Sequence, residues 1–191
     1  MSKRDIAASV RQRLLNQSRA QNRPFQELLQ YYAMERFLYR LAQSGHADKF
    51  VLKGALLLTA WRAPISRQTV DIDLLGKTSN ELEHIISIVS EICALESGAD
   101  GVRFDRASVK ATRIKEDADY EGVRVQFKAI LAGARIPMQI DIGCRSDRSL
   151  WFCDIWVARD SAVRSLRQDG NQRCERIPPL PTHRLFRTYR P

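Results

Sequence analysis

Two aspartates, Asp71 and Asp73, lie two positions apart in the otherwise apolar run TVDIDLL of residues 69–75. Aspartate is a poor strand former and is rarely buried without a partner, so an apolar strand with two of them needs an explanation. Residues i and i+2 of a strand point to the same face, and two carboxylates placed there repel each other unless a cation lies between them. The spacing is typical of a divalent metal site or an acid–base pair, although surface turns also produce it.

A third aspartate, Asp141, lies in the apolar run MQIDIG of residues 138–143. If this strand lies beside the strand of Asp71 and Asp73, the three carboxylates form one cluster; otherwise Asp141 caps or pairs with an arginine. Mg²⁺ binds one or two carboxylates and fills its other positions with water and substrate phosphates. The cluster therefore favours phosphoryl or nucleotidyl transfer, with the third acid as a ligand or as a base toward the attacking hydroxyl.

Candidate phosphate-binding residues precede the acids along the chain. In the run VLKGALLL, Lys53 and Gly54 separate a short strand from a predicted buried helix. A glycine there lets the backbone approach a phosphate, and the N-terminus of the following helix presents free N–H groups. Arg67 and Thr69 lie just before the acids and are candidates to bind phosphate or ribose.

Hydrophobic periodicity predicts the elements that position these residues. After a short helix at 5–20 and a longer one that follows Pro24, the chain reads β-α-β-α and then three β elements between residues 102 and 142. The second helix of the β-α-β-α part begins near Thr78, which has capping-box spacing to Glu81. This order predicts an α+β fold with a mixed sheet.

The composition indicates a soluble globular protein with an anionic partner. The 191 residues are 44% hydrophobic and 28% charged, with a formal net charge of +9, which favours nucleic acid, a nucleotide or an acidic protein. The sequence shows neither a membrane span nor the apolar region of a secretory signal, so we expect a cytoplasmic protein without a membrane partner. Its four cysteines form no Cys-x-x-Cys pair, which argues against zinc and disulfides.

The composition changes after Gly143. Residues 144–191 contain ten arginines, four aspartates, one glutamate and no lysine, and hydrophobic periodicity fades. The segment reads as a basic RNA-binding tail, as a disordered terminus, or as an out-of-frame readthrough. We therefore predict an N-terminal helical segment at 1–47, a core at 48–143 and an atypical basic tail at 144–191, truncated or frameshifted.

Together these runs resemble the nucleotidyltransferase family of AbiEii/AbiGii-type toxins, the toxin halves of type IV toxin–antitoxin and abortive-infection systems. The resemblance covers about residues 10–143, with Lys53-Gly54, Asp71/Asp73 and Asp141 in the family's order. It implies a polymerase-β-like nucleotidyltransferase fold and Mg²⁺-dependent transfer of a nucleotide from an NTP to an acceptor, with tRNA the substrate of some relatives. It also implies a cognate antitoxin protein as partner.

The resemblance also implies residue roles. Asp71 and Asp73 would ligate Mg²⁺ with Asp141 as the third acid, and Gly54 would lie against the triphosphate. Three further residues match surrounding motif positions that bind nucleotide: Lys53, Arg67 and Thr69. A family pattern, YxGxR, matches Tyr120, Gly122 and Arg124, although strand and bulge structure explains these residues as well.

The chain departs from the family pattern at two places. Ala55 stands where the family usually has a second small residue, glycine or serine. Family members usually continue beyond the third acid into a helical region, which the residues after Gly143 do not resemble, so the C-terminal helical half is predicted to be missing. Two alternative functions therefore stay open: a catalytically impaired remnant that binds antitoxin or RNA, and a small-molecule nucleotidyltransferase of the antibiotic-modifying kind.

Overall fold

The computed structural model of the chain describes residues 3–56, 69–96, 100–117 and 120–144. In chain order its elements are the helices and strands α1 Lys3–Gln21, α2 Phe25–Gln43, a 3₁₀ turn Ala47–Lys49, β1 Phe50–Lys53, β2 Ile72–Gly76, α3 Leu82–Ala94, β3 Val102–Asp117, β4 Tyr120–Leu131 and β5 Ala134–Cys144. Residues 54–56, directly after β1, are also helical. Most of the helix predicted after Gly54, and the predicted tail beyond residue 144, lie outside the described residues.

The five strands form one sheet in the order β1-β2-β5-β4-β3. Strands β2 and β5 run parallel, and the other neighbours are antiparallel. A tight turn joins β4 to β5, where Ala132 and Gly133 both have positive φ angles, the conformation that two-residue hairpin loops require. The predicted α+β fold with a mixed sheet and N-terminal helices is confirmed.

One face of the sheet packs against the helices. Every second residue along the strands points to this face, so Leu52, Leu74, Ile142 and Val123 follow one another in register across four strands. Helix α2 adds Phe37, whose ring centroid lies 5.8 Å from that of Phe104 and 5.2 Å from that of Phe127. The residues between the apolar ones point to the opposite face, where the polar side chains collect.

Helix α2 is fixed to the start of β3 by the buried ion pair between Arg40 and Asp100. Arg40 Nη2 lies 3.2 Å from Asp100 Oδ2 and donates to the carbonyl of Val102 at 2.8 Å. Asp100 Oδ1 accepts from the Val102 amide at 2.9 Å, and the hydroxyl of Tyr32 donates to the Asp100 carbonyl at 2.9 Å. Because these buried groups have partners, the pair is compensated for its lost hydration.

The capping box predicted at Thr78 and Glu81 is wrong. Helix α3 begins at Leu82, so Glu81 itself occupies the N-cap position and makes no capping hydrogen bond with its side chain. The hydroxyl of Thr78 instead lies 2.8 Å from Nε2 of His84. The Thr78 hydroxyl therefore bonds to the side chain of His84, in the first turn of α3, and not to the helix backbone as predicted.

No helix within the described ranges is long and apolar enough to cross a membrane.

Candidate active site

A row of charged residues crosses the polar face of the sheet. Lys53 at the end of β1 is the register partner of Asp73 in β2. Asp73 is in turn opposite Asp141 of β5, and Asp141 is opposite Arg124 of β4. Because neighbouring strands lie about 4.8 Å apart, the parallel pairing places the two acids side by side. The condition under which the three acids can form one cluster, that the two acid-bearing strands are neighbours, is therefore met.

Asp71, the residue just before β2, lies close to this pair of acids. One carboxylate oxygen each from Asp71, Asp73 and Asp141 lies within 4.8 Å of the other two. Asp71 and Asp73 are half-buried, whereas Asp141 is 7% exposed. The sheet therefore brings together the three acids that were predicted as metal ligands.

Thr69 orients the first of these acids. Its hydroxyl is buried and donates to Asp71 Oδ1 at 2.7 Å. This bond fixes the direction of the Asp71 carboxylate toward the other two acids. The prediction that Thr69 binds nucleotide stays a prediction, and Arg67 lies outside the described residues.

Gly54 is in direct contact with Asp73. It follows Lys53 with a φ of +73°, a backbone conformation that costs other residues about 1–2 kcal/mol. A Cβ atom at this position would lie only 1.9 Å from Asp73 Oδ2. Glycine is therefore required both for the turn out of β1 and for the position of the Asp73 carboxylate.

Arg124 binds the third acid with two parallel hydrogen bonds. Its Nε donates to Asp141 Oδ1 at 2.8 Å and its Nη2 donates to Oδ2 at 2.7 Å. The hydrogen bonds to Asp141, together with the negative charges of Asp141 and Asp71, raise the pKa of Arg124 above its usual value. The guanidinium thus offsets part of the repulsion among the three carboxylates. Gln139 Nε2 lies 3.4 Å from Asp141 Oδ2.

Gly122 lies on β4, two residues before Arg124 and on the same face of the sheet. A Cβ there would lie 3.1 Å from the Ile114 side chain and 3.3 Å from the Ile142 carbonyl. The glycine of the YxGxR pattern is therefore explained by close packing within the sheet, and β3 has a register irregularity opposite the start of β4. Arg124, by contrast, belongs to the acidic cluster.

The cluster fits a hard divalent cation. Its donors are carboxylate oxygens, which Mg²⁺ prefers, and oxygens bound to one Mg²⁺ lie about 2.9 Å apart when adjacent and about 4.1 Å apart when opposite. The observed separation, within 4.8 Å, needs only small side-chain adjustments to reach these values. Asp71, Asp73 and Asp141 are therefore the residues that could hold such an ion.

Two contributors to the site were missed by sequence reasoning. Gln30 and Tyr31 of α2 both contact residues 69–70, which lead into Asp71: Gln30 Nε2 donates to the Val70 carbonyl at 3.2 Å, and the Thr69 amide donates to the Tyr31 hydroxyl at 3.4 Å. The sequence did contain one signal for Gln30. It is a polar residue between Leu29 and Tyr31, in a helix predicted to pack in the core.

Comparison with known families decides the assignment. The family model described as nucleotidyl transferase AbiEii toxin, Type IV TA system, matches residues 36–149. The chain belongs to this AbiEii family. The match begins inside α2 and includes all five strands, hence all three acids, and it confirms the family resemblance read from the sequence. No curated protein matches the chain.

Membership places the chain among toxin nucleotidyltransferases of type IV toxin–antitoxin systems. Such a family implies a nucleotide substrate and an antitoxin partner. The three carboxylates could hold a divalent cation, and such an ion supplies the charge compensation that transfer from a triphosphate needs. The AbiEii assignment and the geometry of the sheet therefore agree on the class of chemistry.

Proposed function

We propose that the protein transfers a nucleotide from an NTP to an RNA acceptor, tRNA, in a reaction that depends on Mg²⁺. The observation that supports this most directly is the set of three carboxylates from the start of β2 and from β5 within 4.8 Å of one another. The AbiEii family supplies the reaction class. On this proposal the protein acts in the cytoplasm, with residues 48–143 as the catalytic core.

The acids bind the cation, and their neighbours bind the triphosphate. Asp71, Asp73 and Asp141 hold the divalent cation, which when bound neutralises negative charge on the triphosphate. Gly54 has no side chain, so a phosphate can approach its backbone beside Asp73, and Lys53 adds a positive charge at the same row of the sheet. These roles make the polar face of the sheet, near β1 and β2, the nucleotide-binding side.

We assign to Asp141 the role of accepting the proton of the acceptor hydroxyl. In the reaction this hydroxyl oxygen forms a bond to the α-phosphorus, the bond to the pyrophosphate oxygen breaks, and the hydroxyl proton passes to a carboxylate. Arg124 holds both oxygens of Asp141 by hydrogen bonds from the β4 side. This geometry keeps the carboxylate oriented while it receives the proton.

The polar face beside Asp141 carries charges that suit a polyanionic acceptor. Gln126 and Gln139 are opposite each other next to the cluster, and beyond them the same face is basic and exposed. Its exposed basic residues are Arg103, Lys110, Lys128 and Arg135. Asp105, opposite Lys128, offsets part of this charge. Phosphates of an RNA strand that reaches Asp141 would meet these cations.

The catalytic proposal is tested by labelling. The full chain is incubated with Mg²⁺, labelled NTPs and total tRNA, and the wild type should label tRNA. Asp71→Asn should abolish labelling, because the substitution removes one of the three ligand charges. Asp48→Asn, at an exposed aspartate of the 3₁₀ turn, is the matched control and should label normally. Equal labelling by wild type and Asp71→Asn would contradict the metal assignment.

The acceptor surface has a separate test. Replacing Lys110 and Lys128 together with glutamine should weaken RNA binding and reduce the slope of log affinity against log salt by about 1 to 2, since each phosphate contact contributes about 0.7 to 0.9. The control is the double variant of Arg19 and Lys77, two exposed cations on other parts of the molecule. An unchanged slope in the Lys110/Lys128 variant would exclude this face as the RNA surface.

A further inference from the structure

Gln30 connects helix α2 to the two acid-bearing strands. Its side chain is buried, at 8% exposure, and its amide nitrogen donates to two backbone carbonyls. One acceptor is the carbonyl of Val70, at 3.2 Å, and the other is the carbonyl of Pro137, at 2.7 Å. A carboxamide nitrogen has two hydrogens, so both donors are used in one bridge between separate parts of the chain.

The bridge lies where the strand pairing has not yet begun. The register between β2 and β5 starts at Ile72 and Ile140, so Val70 precedes the first paired residue of β2. The side chain of Val70 is 59% exposed and cannot anchor this segment by packing. Thr69 is buried, and polar contacts from α2 reach the backbone of both residues, from Gln30 to Val70 and from Tyr31 to the Thr69 amide.

This position links the bridge to the acids. Val70 immediately precedes Asp71, and Pro137 lies four residues before Asp141 on β5. Asp71 itself lies outside β2, so the ladder that aligns Asp73 with Asp141 does not extend to it. Any movement of residues 69–71 away from β5 would carry the Asp71 carboxylate away from the other two.

We propose that Gln30 is a positioning residue that fixes Asp71 relative to Asp141 for metal binding. The proposal rests on the proposed function, because it takes the three acids as the metal site. Gln30 does not touch the acids and acts through the backbone on either side of them. It also lies outside the part of the chain that the family model matches, residues 36–149.

The test compares two variants of the same helix in the full chain. Gln30→Met keeps a side chain of similar length but removes both donors and leaves two carbonyls without this partner. Tyr32→Phe removes a different donor of α2, the hydroxyl that bonds to the Asp100 carbonyl at 2.9 Å. Both variants lose hydrogen bonds from α2 to backbone carbonyls, but only Gln30 contacts the segment that leads to Asp71.

Binding of Mn²⁺ to the metal-free chain, measured by electron paramagnetic resonance, is the first readout. Gln30→Met should weaken Mn²⁺ binding by about 10-fold, the lower end of the range for residues that orient metal ligands. Tyr32→Phe should bind Mn²⁺ like the wild type. Equal Mn²⁺ affinity in Gln30→Met and wild type would overturn the positioning role.

Amide hydrogen exchange without metal is the second readout. The backbone of residues 70–73 should exchange faster in Gln30→Met than in Tyr32→Phe when the two variants are compared at matched global stability. If the wild type binds no Mn²⁺, the proposed function fails on its own, and exchange still decides whether Gln30 holds this segment. Unchanged exchange at 70–73 would show that the bridge does not restrain Asp71.

Discussion

Two arginine–aspartate pairs in this molecule have the same chemistry but different surroundings. Arg40 and Asp100 join α2 to the start of β3, and their side chains are 4% and 8% exposed. Arg124 and Asp141 are opposite each other in the sheet, and the Arg124 side chain is 39% exposed. Backbone groups of Val102 complete the first pair, whereas two further carboxylates adjoin the second.

The difference separates a structural pair from a functional one. The buried polar groups around the first pair bond to one another and to the backbone of Val102, which explains the pair as part of the core. The second pair lies in a row that contains three acids and two basic residues, Arg124 and Lys53, so the row keeps a net negative charge. A cluster that a protein cannot neutralise by itself is what a cation requires.

The largest expected effect is on folding. Arg40→Met should lower the free energy of unfolding by about 3–5 kcal/mol, because it leaves the Asp100 carboxylate buried without its partner. Arg124→Met should lower it by less than Arg40→Met does, because the Arg124 side chain is 39% exposed and its loss lets water reach Asp141. Urea unfolding followed by circular dichroism measures both. Equal losses would show that the two pairs do not differ as described.

The next effect is on metal binding. Asp141→Asn keeps the shape of the side chain but removes its charge, so Mn²⁺ affinity should fall by at least about 100-fold, the upper end of the range known for residues around a metal. The free energy of unfolding without metal should change little, because lost repulsion offsets the lost bond to Arg124. Titration of Mn²⁺ by paramagnetic resonance measures the affinity. Retained affinity would remove Asp141 from the ligand set.

Alanine substitutions at two glycines test whether the position of the Asp73 carboxylate matters to metal binding. Gly54→Ala and Gly133→Ala both place a Cβ at a positive φ, +73° and +82°; this conformation should cost about 1–2 kcal/mol in unfolding free energy at Gly133 and at least as much at Gly54. A Cβ meets Asp73 Oδ2 at Gly54 but nothing within 4 Å at Gly133. Only Gly54→Ala should therefore weaken Mn²⁺ binding. If both variants bind Mn²⁺ equally, the contact with Asp73 does not matter to the site.

The acids were predictable because their signal is local. Aspartate inside an apolar strand is unusual wherever the strand lies, and the family resemblance placed Asp71, Asp73 and Asp141 in order. Parallel pairing of the two strands could be expected only conditionally, since register is a property of the assembled sheet. The failed capping box at Thr78 shows the same limit, because His84 competes for the hydroxyl.

The long-range polar contacts made by helix α2 were not predictable from local pattern. Gln30 and Arg40 lie in a helix whose apolar residues predict which face is buried. They do not predict which strand that face contacts. Asp100 lies in a glycine-containing segment that reads only as the end of a helix. Gln30 and Arg40 donate to backbone carbonyls 40 to 107 residues away in the chain, and Asp100 pairs with the Arg40 side chain, 60 residues away. Such partners become visible only once the fold is known.

A third arginine–carboxylate pair extends the comparison to a pair that is only partly satisfied. Glu35 and Arg36 are bonded neighbours in α2, yet Glu35 Oε2 and Arg36 Nε are buried and lack hydrogen-bond partners among the described residues. Burial raises the pKa of Glu35 above its usual value, and the charge of Arg36 opposes this only in part. The ionised form of Glu35 is therefore disfavoured in the folded protein.

This pair predicts a pH dependence with a definite sign. Because the folded pKa of Glu35 lies above the unfolded value of about 4.3, its contribution to stability is complete below that value and is lost as pH rises through the folded pKa. Glu35→Gln lacks this loss, so its advantage in unfolding free energy over wild type should grow from pH 4 to pH 8. Urea unfolding at several pH values measures the difference. A constant difference across this range would show that Glu35 ionises as easily in the folded chain as in the unfolded one, and that a neighbouring arginine alone is enough to keep a half-buried carboxylate charged.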